Sequence, residues 1–289
     1  MNYLQLLRPI QWIKNLFVFA PLFFSRHLLE ASLFLHALSI FLIFCLVSSS
    51  VYCLNDMVDL EADKANPQKC MRPLASGAIS LLAAKCIMVI CLFFASALLL
   101  FTYKWTENPQ LVLPIATYLV LNIAYSLWLK NHAIVDIVCI ATGFVLRVLA
   151  GGLTTGIWVS HWIIIMTFLL TLFLALAKRM SETELGNTSR KSMAGYNRPF
   201  AYAALSVMAS IIIVCYILYT IDSDVILHIG TPYLYTTSIW VLAGLLRYMQ
   251  LIMVFHSNEG PTTIILRDPF LIGCGVVWML CFVVFIYML

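Results

Sequence analysis

A cluster of acidic residues interrupts a chain that is otherwise strongly apolar. Residues 55–63 read NDMVDLEAD and hold four of the 13 Asp and Glu residues in the 289-residue sequence. If a helix continues through this stretch, Asn55, Asp59 and Asp63 recur every four residues and share one face. Asp56 lies beside them. Carboxylates stacked in this way repel one another unless a cation lies among them, so the spacing favours an ion-binding face over a solvated loop.

The chemistry of these side chains indicates which ion they would bind. A set of oxygen ligands favours Mg²⁺, which keeps several waters and binds through few carboxylates together with substrate phosphates. The sequence therefore predicts a platform for Mg²⁺ and a diphosphate, with Asp56, Asp59 and Asp63 as catalytic residues. The expected metal ligands are Asn55, Asp56, Asp59 and Asp63. Glu61 points away from their face.

Two basic residues follow the acidic cluster in the stretch KCMRPLASG, where Lys69 and Arg72 lie three positions apart. A lone basic pair in a membrane protein often marks only the cytoplasmic side. Directly after a predicted metal and diphosphate site, the same pair can neutralise phosphate charge and donate hydrogen bonds. We therefore expect Lys69 and Arg72 to bind phosphate.

Membrane helices must position these side chains. Hydrophobic residues make up 63% of the chain and charged residues 10%, whereas a soluble domain has roughly a quarter of its residues charged. The sequence predicts an all-α polytopic membrane protein, one domain over residues 1–289, with nine helices of about 20 apolar residues each. Seven lie within the charge-free runs 31–55, 86–103, 108–129, 148–177, 199–221, 225–246 and 269–289, and two less regular ones lie near 10–29 and 132–153.

The distribution of lysine and arginine predicts the orientation of these helices. With the N-terminus cytoplasmic, 13 of the 17 basic residues fall in inner segments, in line with the positive-inside rule. The C-terminus then lies outside, and the longest polar stretches, 56–85 and 178–198, follow helices 2 and 6 in the cytoplasm.

We expect no cleavable signal peptide. The cysteines form no CxxC and the histidines no HExxH, which argues against a zinc site.

These features together resemble the UbiA-type intramembrane prenyltransferases. The resemblance rests on NDxxDxxxD at the end of the second of nine helices and on the KxxRP segment after it, and it extends over nearly the whole chain. Members of that superfamily use two polar inner loops to hold a Mg²⁺-bound diphosphate above a lipid-filled helical bundle. The resemblance implies a UbiA-like bundle in a bacterial cytoplasmic membrane.

The second inner loop separates the branches of that superfamily. Most members carry another aspartate pair, DxxxD, after helix 6, but this chain has no Asp between Asp136 and Asp222. Its loop reads KRMSETELGNTSRKSMAGYN. Two further stretches are LRPIQWIKNLFVFAP near the start and YSLWLKNHAIVDIVCIATGFVLRVLAGG across helices 4 and 5. Together with the loop, they make the chain similar to the decaprenyl-phosphate phosphoribosyltransferases. That branch implies transfer of 5-phosphoribose from phosphoribosyl diphosphate to a polyprenyl phosphate, for arabinose donors in cell-envelope biogenesis.

The same resemblance implies roles for further residues. The attacking lipid phosphate is already ionised, so the reaction needs no general base, and the chain offers no obvious Ser/His/Asp or Cys/His arrangement. The residues implied to hold the diphosphate and the ribose 5-phosphate are Lys69, Arg72, Lys130, Lys178, Arg179 and Arg190. Glu182 and Tyr196 either contact the ribose hydroxyls or lie exposed in the loop. Lys14 and Asn15 are placed to meet the lipid phosphate, unless Lys14 only anchors the first helix at the interface.

Two charged residues lie inside the fifth predicted helix. Asp136 and Arg147 share a face, because eleven residues are about three turns, but they lie about 16 Å apart along the axis and cannot pair. Asp136, at the cytoplasmic end, is expected to belong to the polar site and to position Lys130, another basic residue or a second metal ion. Arg147 lies deeper and is either functional or structural.

Two other kinds of protein remain as alternatives. An aromatic or quinone-pathway prenyltransferase on the same scaffold would use a prenyl diphosphate donor, but it predicts the missing second aspartate pair. A transporter predicts inverted repeats and broken helices near the midplane, whereas the polar residues here gather at the inner surface. The expected partners are therefore phosphoribosyl diphosphate, a polyprenyl phosphate and the membrane, without nucleic acid, and an oligomer is compatible with them.

Overall fold

The architecture comes from a computed structural model, which describes residues 2–67, 69–184, 191–255 and 260–288. Every regular element in these ranges is helical. The α-helices are α1 (Asn2–Leu7), α2 (Ala20–Phe24), α3 (Ala31–Val58), α4 (Leu60–Ala65), α5 (Leu81–Thr106), α6 (Val112–Leu127), α7 (Val135–Thr155), α8 (His161–Glu184), α9 (Arg198–Ile221), α10 (Ser223–Ile229), α11 (Ser238–Met253), α12 (Pro261–Arg267) and α13 (Pro269–Val283). Further 3₁₀ segments cover Pro9–Phe19, Pro109–Leu111, Leu129–Asn131, Lys191–Gly195 and Pro232–Thr237, and a π turn covers Val284–Met288.

Long apolar helices in these ranges confirm a multi-pass membrane protein. Seven are long and apolar enough to cross a bilayer: α3, α5, α6 with the 3₁₀ turn before it, α7, α8, α9, and α13 with the π turn after it. A further span would form from α10 and the helical stretch Pro232–Met253, although the chain bends by 105° between them. Gly230, with a φ of +81°, lies at that bend. The sequence predicts nine helices, and the described residues contain seven or eight of this kind.

The first predicted span, near 10–29, is not a regular α-helix. Arg8 has a left-handed backbone, with φ +53° and ψ +58°, and the 11-residue 3₁₀ segment Pro9–Phe19 begins directly after it. The five residues of α2 follow. A 3₁₀ run of this length is uncommon and often marks a functional or strained segment. Pro21, in the first turn of α2, removes one backbone donor from this region.

The chain separates into two compact units, Met1–Val159 and Ser160–Leu289. In the first unit α3 is central and packs against α5, α6, α7 and the 3₁₀ segment Pro9–Phe19. Ile40 and Phe44 of α3 are fully buried in the apolar core that these elements share. A Cβ added to Gly151 of α7 would lie 2.0 Å from the carbonyl oxygen of Val18. Glycine therefore permits direct backbone contact between α7 and the 3₁₀ segment, as small residues do in membrane bundles.

In the second unit, α8 packs against α9, and α11 packs against α13 and α9. The indole of Trp278 donates to the hydroxyl of Tyr216 at 2.6 Å, and that hydroxyl lies 2.7 Å from the hydroxyl of Thr237. These bonds tie the 3₁₀ turn after the bend to α9 and α13. Arg247 pairs with Asp268 at 2.8 Å, and Asp268 also caps the first turn of α13.

Candidate active site

The acidic cluster lies where α3 reaches the end of the apolar core. α3 ends at Val58, Asp59 has φ −90° and ψ +7°, and α4 begins at Leu60. The helical hydrogen bonds continue across this break. The N–H of Asp59 donates to the carbonyl of Asn55 at 2.9 Å, and the N–H of Asp63 donates to the carbonyl of Asp59 at 2.8 Å. The acidic side chains therefore keep a spacing close to that of a continuous helix.

Two arginines pair with the buried acids of this cluster. Asp56 and Asp63 are 2% and 3% exposed. Nη1 of Arg72 lies 2.6 Å from Oδ2 of Asp63 and 3.2 Å from Oδ1 of Asp56, so one guanidinium joins two carboxylates. Nη2 of Arg8 donates to the same oxygen of Asp56. Buried carboxylates remain charged only with partners of this kind, so the arginines make an ionised acidic cluster feasible here.

The acids contact different cations. Backbone hydrogen bonds keep Asn55, Asp59 and Asp63 at the expected spacing of four residues. Arg72 joins Asp56 and Asp63, which are seven residues or about two turns apart. Asp59 contacts the ammonium group of Lys130, from the 3₁₀ turn before α7. Binding of a metal ion by these acids stays a prediction.

A loop of the first unit, between α4 and α5, packs against α1 and α3 and holds Arg72 in place. Leu74 and Ile79 follow Arg72 in this loop, and both are buried. They belong to a cluster with Leu6 of α1 and Cys53 of α3. Because this cluster lies one turn from Asp56 along α3, burial of the two loop side chains brings the guanidinium to the acids. Arg72 therefore lies at the acidic cluster, and its expected contact with phosphate stays a prediction.

Arg8 is the residue of this site that sequence reasoning missed. Its left-handed backbone conformation is uncommon for a residue with a side chain and costs about 1–3 kcal/mol. The conformation turns the chain at Pro9 so that the guanidinium reaches Asp56 and also lies 5.2 Å from the ring centre of Tyr52. The available sequence signal was a basic residue directly before proline at the start of the first apolar run.

Lys130 and Asp136 were expected to act together. Lys130 is 5% exposed, and its ammonium group contacts Asp59. Asp136 is fully buried in the first turn of α7, where its N–H donates to the carbonyl of His132 at 3.1 Å. The structure thus brings Lys130 to the acidic cluster. The role of Asp136 stays a prediction.

The expectation that Asn15 meets a lipid phosphate is wrong. Asn15 is 1% exposed; its amide nitrogen donates to the thiol sulfur of Cys45 at 3.2 Å, and its amide oxygen accepts a hydrogen bond from Arg147 at 2.7 Å. The 3₁₀ segment turns this side chain inward, between helices. Its neighbour Lys14 is half-buried, and its role stays a prediction.

The second group of predicted substrate residues lies in the second unit. Arg179 is 2% exposed and donates to Glu182 at 2.6 Å, and Lys178 lies 3.9 Å from the same carboxylate. Tyr196 is 4% exposed, so it is not a solvated loop residue. Arg190 lies outside the described residues. The proposed contacts of Lys178, Arg179, Glu182 and Tyr196 with the substrate stay predictions.

The donor set at the acidic cluster fits a partly hydrated Mg²⁺. The amide oxygen of Asn55 is buried without a hydrogen-bond partner, which leaves one oxygen ligand available. Each of the three carboxylates contacts a cationic side chain, and among the described residues no three Asp, Glu, His or Cys side chains gather closely enough to enclose a metal. Such a set suits an ion that uses one or two carboxylates together with waters and phosphate oxygens, not a cage of three acids.

The arrangement can hold a metal–diphosphate pair by exchanging partners. Arg8, Arg72 and Lys130 each offer N–H donors of the kind that phosphate oxygens accept. Side chains of Arg8 and Arg72 are about a quarter exposed, at 24% and 28%, so both can reach a ligand from the site. A bound diphosphate would take these cations while the carboxylates turn to the metal. The chemistry supported here is stabilisation of a leaving diphosphate.

Comparisons with known proteins identify the family of this chain. The model of the UbiA prenyltransferase family matches residues 16–264. A decaprenyl-phosphate phosphoribosyltransferase of Mycolicibacterium smegmatis is 34% identical over 75% of this chain and 69% of its own length. The protein of the same name from Corynebacterium glutamicum is 27% identical over 98% of this chain and 86% of its own length.

A solved structure has a similar fold. The UbiA homolog from Archaeoglobus fulgidus bound to GPP and Mg²⁺ superposes with a TM-score of 0.72, covering 100% of this chain and 99% of that one. The two sequences are 20% identical, so this likeness concerns the fold. The resemblance inferred from NDxxDxxxD and KxxRP is therefore confirmed at the level of the family.

Proposed function

This chain belongs to the UbiA prenyltransferase family, and on that premise we propose that it transfers 5-phosphoribose from phosphoribosyl diphosphate to a polyprenyl phosphate such as decaprenyl phosphate. Diphosphate is the second product. The observation that carries the proposal is the match to decaprenyl-phosphate phosphoribosyltransferases over 75–98% of this chain. The missing second aspartate pair favours this reaction over transfer of a prenyl group.

The reaction forms one bond and breaks another at C1 of the ribose. An oxygen of the lipid phosphate attacks C1 while the bond from C1 to the diphosphate oxygen breaks, and both electrons leave with the diphosphate. Arg8, Arg72 and Lys130 would neutralise the departing charge through N–H donors. Mg²⁺ held by Asn55 and one or two of Asp56, Asp59 and Asp63 would neutralise more of it. The nucleophile arrives ionised, so no side chain needs to remove a proton.

Further residues complete the proposed site. Asp56, Asp59 and Asp63 act as the catalytic carboxylates that bind the metal ion. The acceptor phosphate lies near Lys14, at the start of the first crossing. The donor's phosphates and ribose are contacted by Lys69, Lys178, Arg179, Glu182, Arg190 and Tyr196, with Asp136 in the polar shell of the site. Burial of Arg179 and Tyr196 supports this assignment, because ionisable groups inside a membrane bundle often belong to a substrate site.

We propose nine crossings of a bacterial cytoplasmic membrane, with the N-terminus inside and the C-terminus outside, in a single domain. The 3₁₀ geometry of Pro9–Phe19 supports the first crossing. A 3₁₀ helix rises about 2 Å per residue, so this segment and α2 together reach about 30 Å, the thickness of the hydrocarbon. The bent pair around Gly230 would supply the eighth crossing. The acidic cluster then faces the cytoplasm, where phosphoribosyl diphosphate is available.

A transfer assay tests the proposed function. Membranes containing the protein are incubated with labelled phosphoribosyl diphosphate and decaprenyl phosphate, with Mg²⁺ or with EDTA. We expect label in an organic-phase lipid only with Mg²⁺, and none with membranes that lack the protein. If label never enters the lipid, and a prenyl group instead moves to an aromatic acceptor, the protein is a prenyltransferase of the other kind.

A further inference from the structure

Arg147 of α7 is a buried cation with neutral partners. It is 4% exposed. Its guanidinium donates to Oδ1 of Asn15 at 2.7 Å, to the carbonyl of Gly143 at 2.7 Å and to the hydroxyl of Tyr118 at 2.9 Å. It also lies over the rings of Tyr118 and Phe44, at 4.6 and 5.4 Å from their centres. No Asp or Glu of the described residues forms an ion pair with it.

A ladder of contacts runs from this cation to the acidic cluster. The 3₁₀ segment Pro9–Phe19 lies antiparallel along one face of α3. Asn15 bonds Cys45, and the indole of Trp12 donates to the hydroxyl of Ser49 at 3.1 Å. That hydroxyl in turn donates to the carbonyl of Leu7 at 2.9 Å, next to Arg8. The last contact of the ladder is the bond from Arg8 to Asp56.

The spacing of the α3 residues in this ladder makes it a single face. Cys45, Ser49, Tyr52 and Asp56 follow one another at intervals of four, three and four residues, which keeps them on one side of a helix. Arg147 holds the 3₁₀ segment at Asn15, and Arg8 directly precedes the first residue of that segment. Eleven residues along α3 separate Cys45 from Asp56, or about 16 Å. Arg147 is therefore too far from the acids to contact a diphosphate.

We infer that Arg147 is a positioning residue for the candidate active site: its guanidinium holds the 3₁₀ segment against α3 and α7, and this sets the place where Arg8 meets Asp56. This inference rests on the proposed function, because the test measures KM and kcat for phosphoribosyl transfer. A guanidinium suits this task because its planar fork reaches an amide, a carbonyl and a phenol at once and stacks on rings, whereas an ammonium group offers the charge without the fork.

A double-mutant cycle tests whether Arg147 acts through Arg8. The variants are Arg147→Met, Arg8→Gln and the double variant, and the readouts are KM for phosphoribosyl diphosphate, kcat and the thermal unfolding midpoint. We expect Arg147→Met to lower kcat/KM by about 10- to 100-fold, mainly through KM, as a displaced binding group does. In the Arg8→Gln background the same change should cost less than about twofold, because coupled residues are not additive. Arg147→Lys should fall between wild type and Arg147→Met.

Independent effects of the two substitutions would overturn the inference, as would a lower unfolding midpoint of Arg147→Met with unchanged KM. Arg247→Met is the matched control, since it removes a paired arginine from the second unit; it should lower the midpoint and leave KM unchanged. If Arg147→Met does not fold, Tyr118→Phe and Arg147→Lys enter the same cycle. If wild type transfers no phosphoribose, the proposed function fails, and calorimetric binding of Mg²⁺ with pyrophosphate to the same variants still tests the coupling.

Discussion

Two groups of charged residues in the first unit differ in how their charge is balanced. At the acidic cluster, Asp56, Asp59 and Asp63 face cations, and the ion pairs are partly open to solvent. Around Arg147 a single positive charge meets an amide, a carbonyl, a phenol and aromatic rings in a closed interior.

This difference fits the acidic cluster to the proposed chemistry and the Arg147 group to the proposed positioning role. Paired charges of opposite sign can exchange partners when a metal and a phosphate arrive, because each side chain finds a new ion of the right sign. A cation bound only by neutral groups has no ion-pair partner to exchange. Its hydrogen bonds instead hold the 3₁₀ segment and the neighbouring helices together. Three predictions test this contrast, each with a matched control variant, and a fourth concerns an ion pair of the second unit.

The largest effect is expected at Asp59. Asp59→Asn keeps the size of the side chain but removes the charge that faces Lys130 and the proposed metal ion. We expect turnover to fall by about 100- to 1,000-fold, the range for loss of one electrostatic catalytic group, with little change in the thermal unfolding midpoint. Glu61→Gln is the control, since Glu61 pairs with Lys64 at 2.8 Å on the exposed side and should keep full activity. Wild-type turnover in Asp59→Asn would remove that residue from the site.

Arg72→Gln should have the next largest effect. The substitution leaves Asp56 and Asp63 without the cation they share and removes a phosphate donor. We expect KM for phosphoribosyl diphosphate to rise about 10- to 100-fold, which corresponds to about 1.5–3 kcal/mol for a charged hydrogen bond. Lys64→Gln, on the neighbouring exposed surface, should leave KM unchanged. A rise of the same size in both variants would point to general surface charge as the cause.

A smaller effect, on the free energy of unfolding, is expected from Tyr118→Phe, which removes a hydrogen-bond partner of Arg147. The change removes one acceptor of the guanidinium and keeps the ring that stacks on it. We expect the free energy of unfolding to fall by roughly 0.5–1.5 kcal/mol, with a KM change smaller than that of Arg147→Met. Tyr103→Phe, an exposed tyrosine of α5, is the control and should match wild type. Loss of turnover with unchanged stability would place Tyr118 in the chemistry instead.

The smallest effect concerns the Arg247–Asp268 pair of the second unit. The hydrogen bond from Arg247 lowers the pKa of Asp268 below its ordinary value. A lowered pKa in the folded state contributes stability above the ordinary value of about 4, and this contribution is lost as the pH falls through the lower pKa. The unfolding midpoint of Asp268→Asn, which keeps the cap on α13, should therefore lie below wild type at neutral pH and approach it in acid. A constant difference at every pH would exclude the ion pair as its source.

The class of the protein and the position of the candidate acidic cluster at the end of a long helix were predictable from local patterns. Charge-free runs identify membrane helices because burial in lipid requires apolar side chains over a fixed length. The clustering of Asp56, Asp59 and Asp63, with Arg72 close behind, is a property of neighbouring positions. The sequence marked the first span, near 10–29, as less regular than the others, but the 3₁₀ geometry that follows the left-handed backbone at Arg8 was not predictable from it.

Composition, the acidic cluster and the family motifs are determined by the sequence alone, because each depends on residues within one helix or loop. The partners of the charged side chains were decided by the tertiary structure. Arg8 meets Asp56 across 48 positions, Lys130 meets Asp59 across 71, and Arg147 meets Asn15 across 132. Helical periodicity carries no information over such separations. Packing of α3 against α7 and the 3₁₀ segment brings these groups together, and in the weakly polar interior each of these three cations has hydrogen-bond partners.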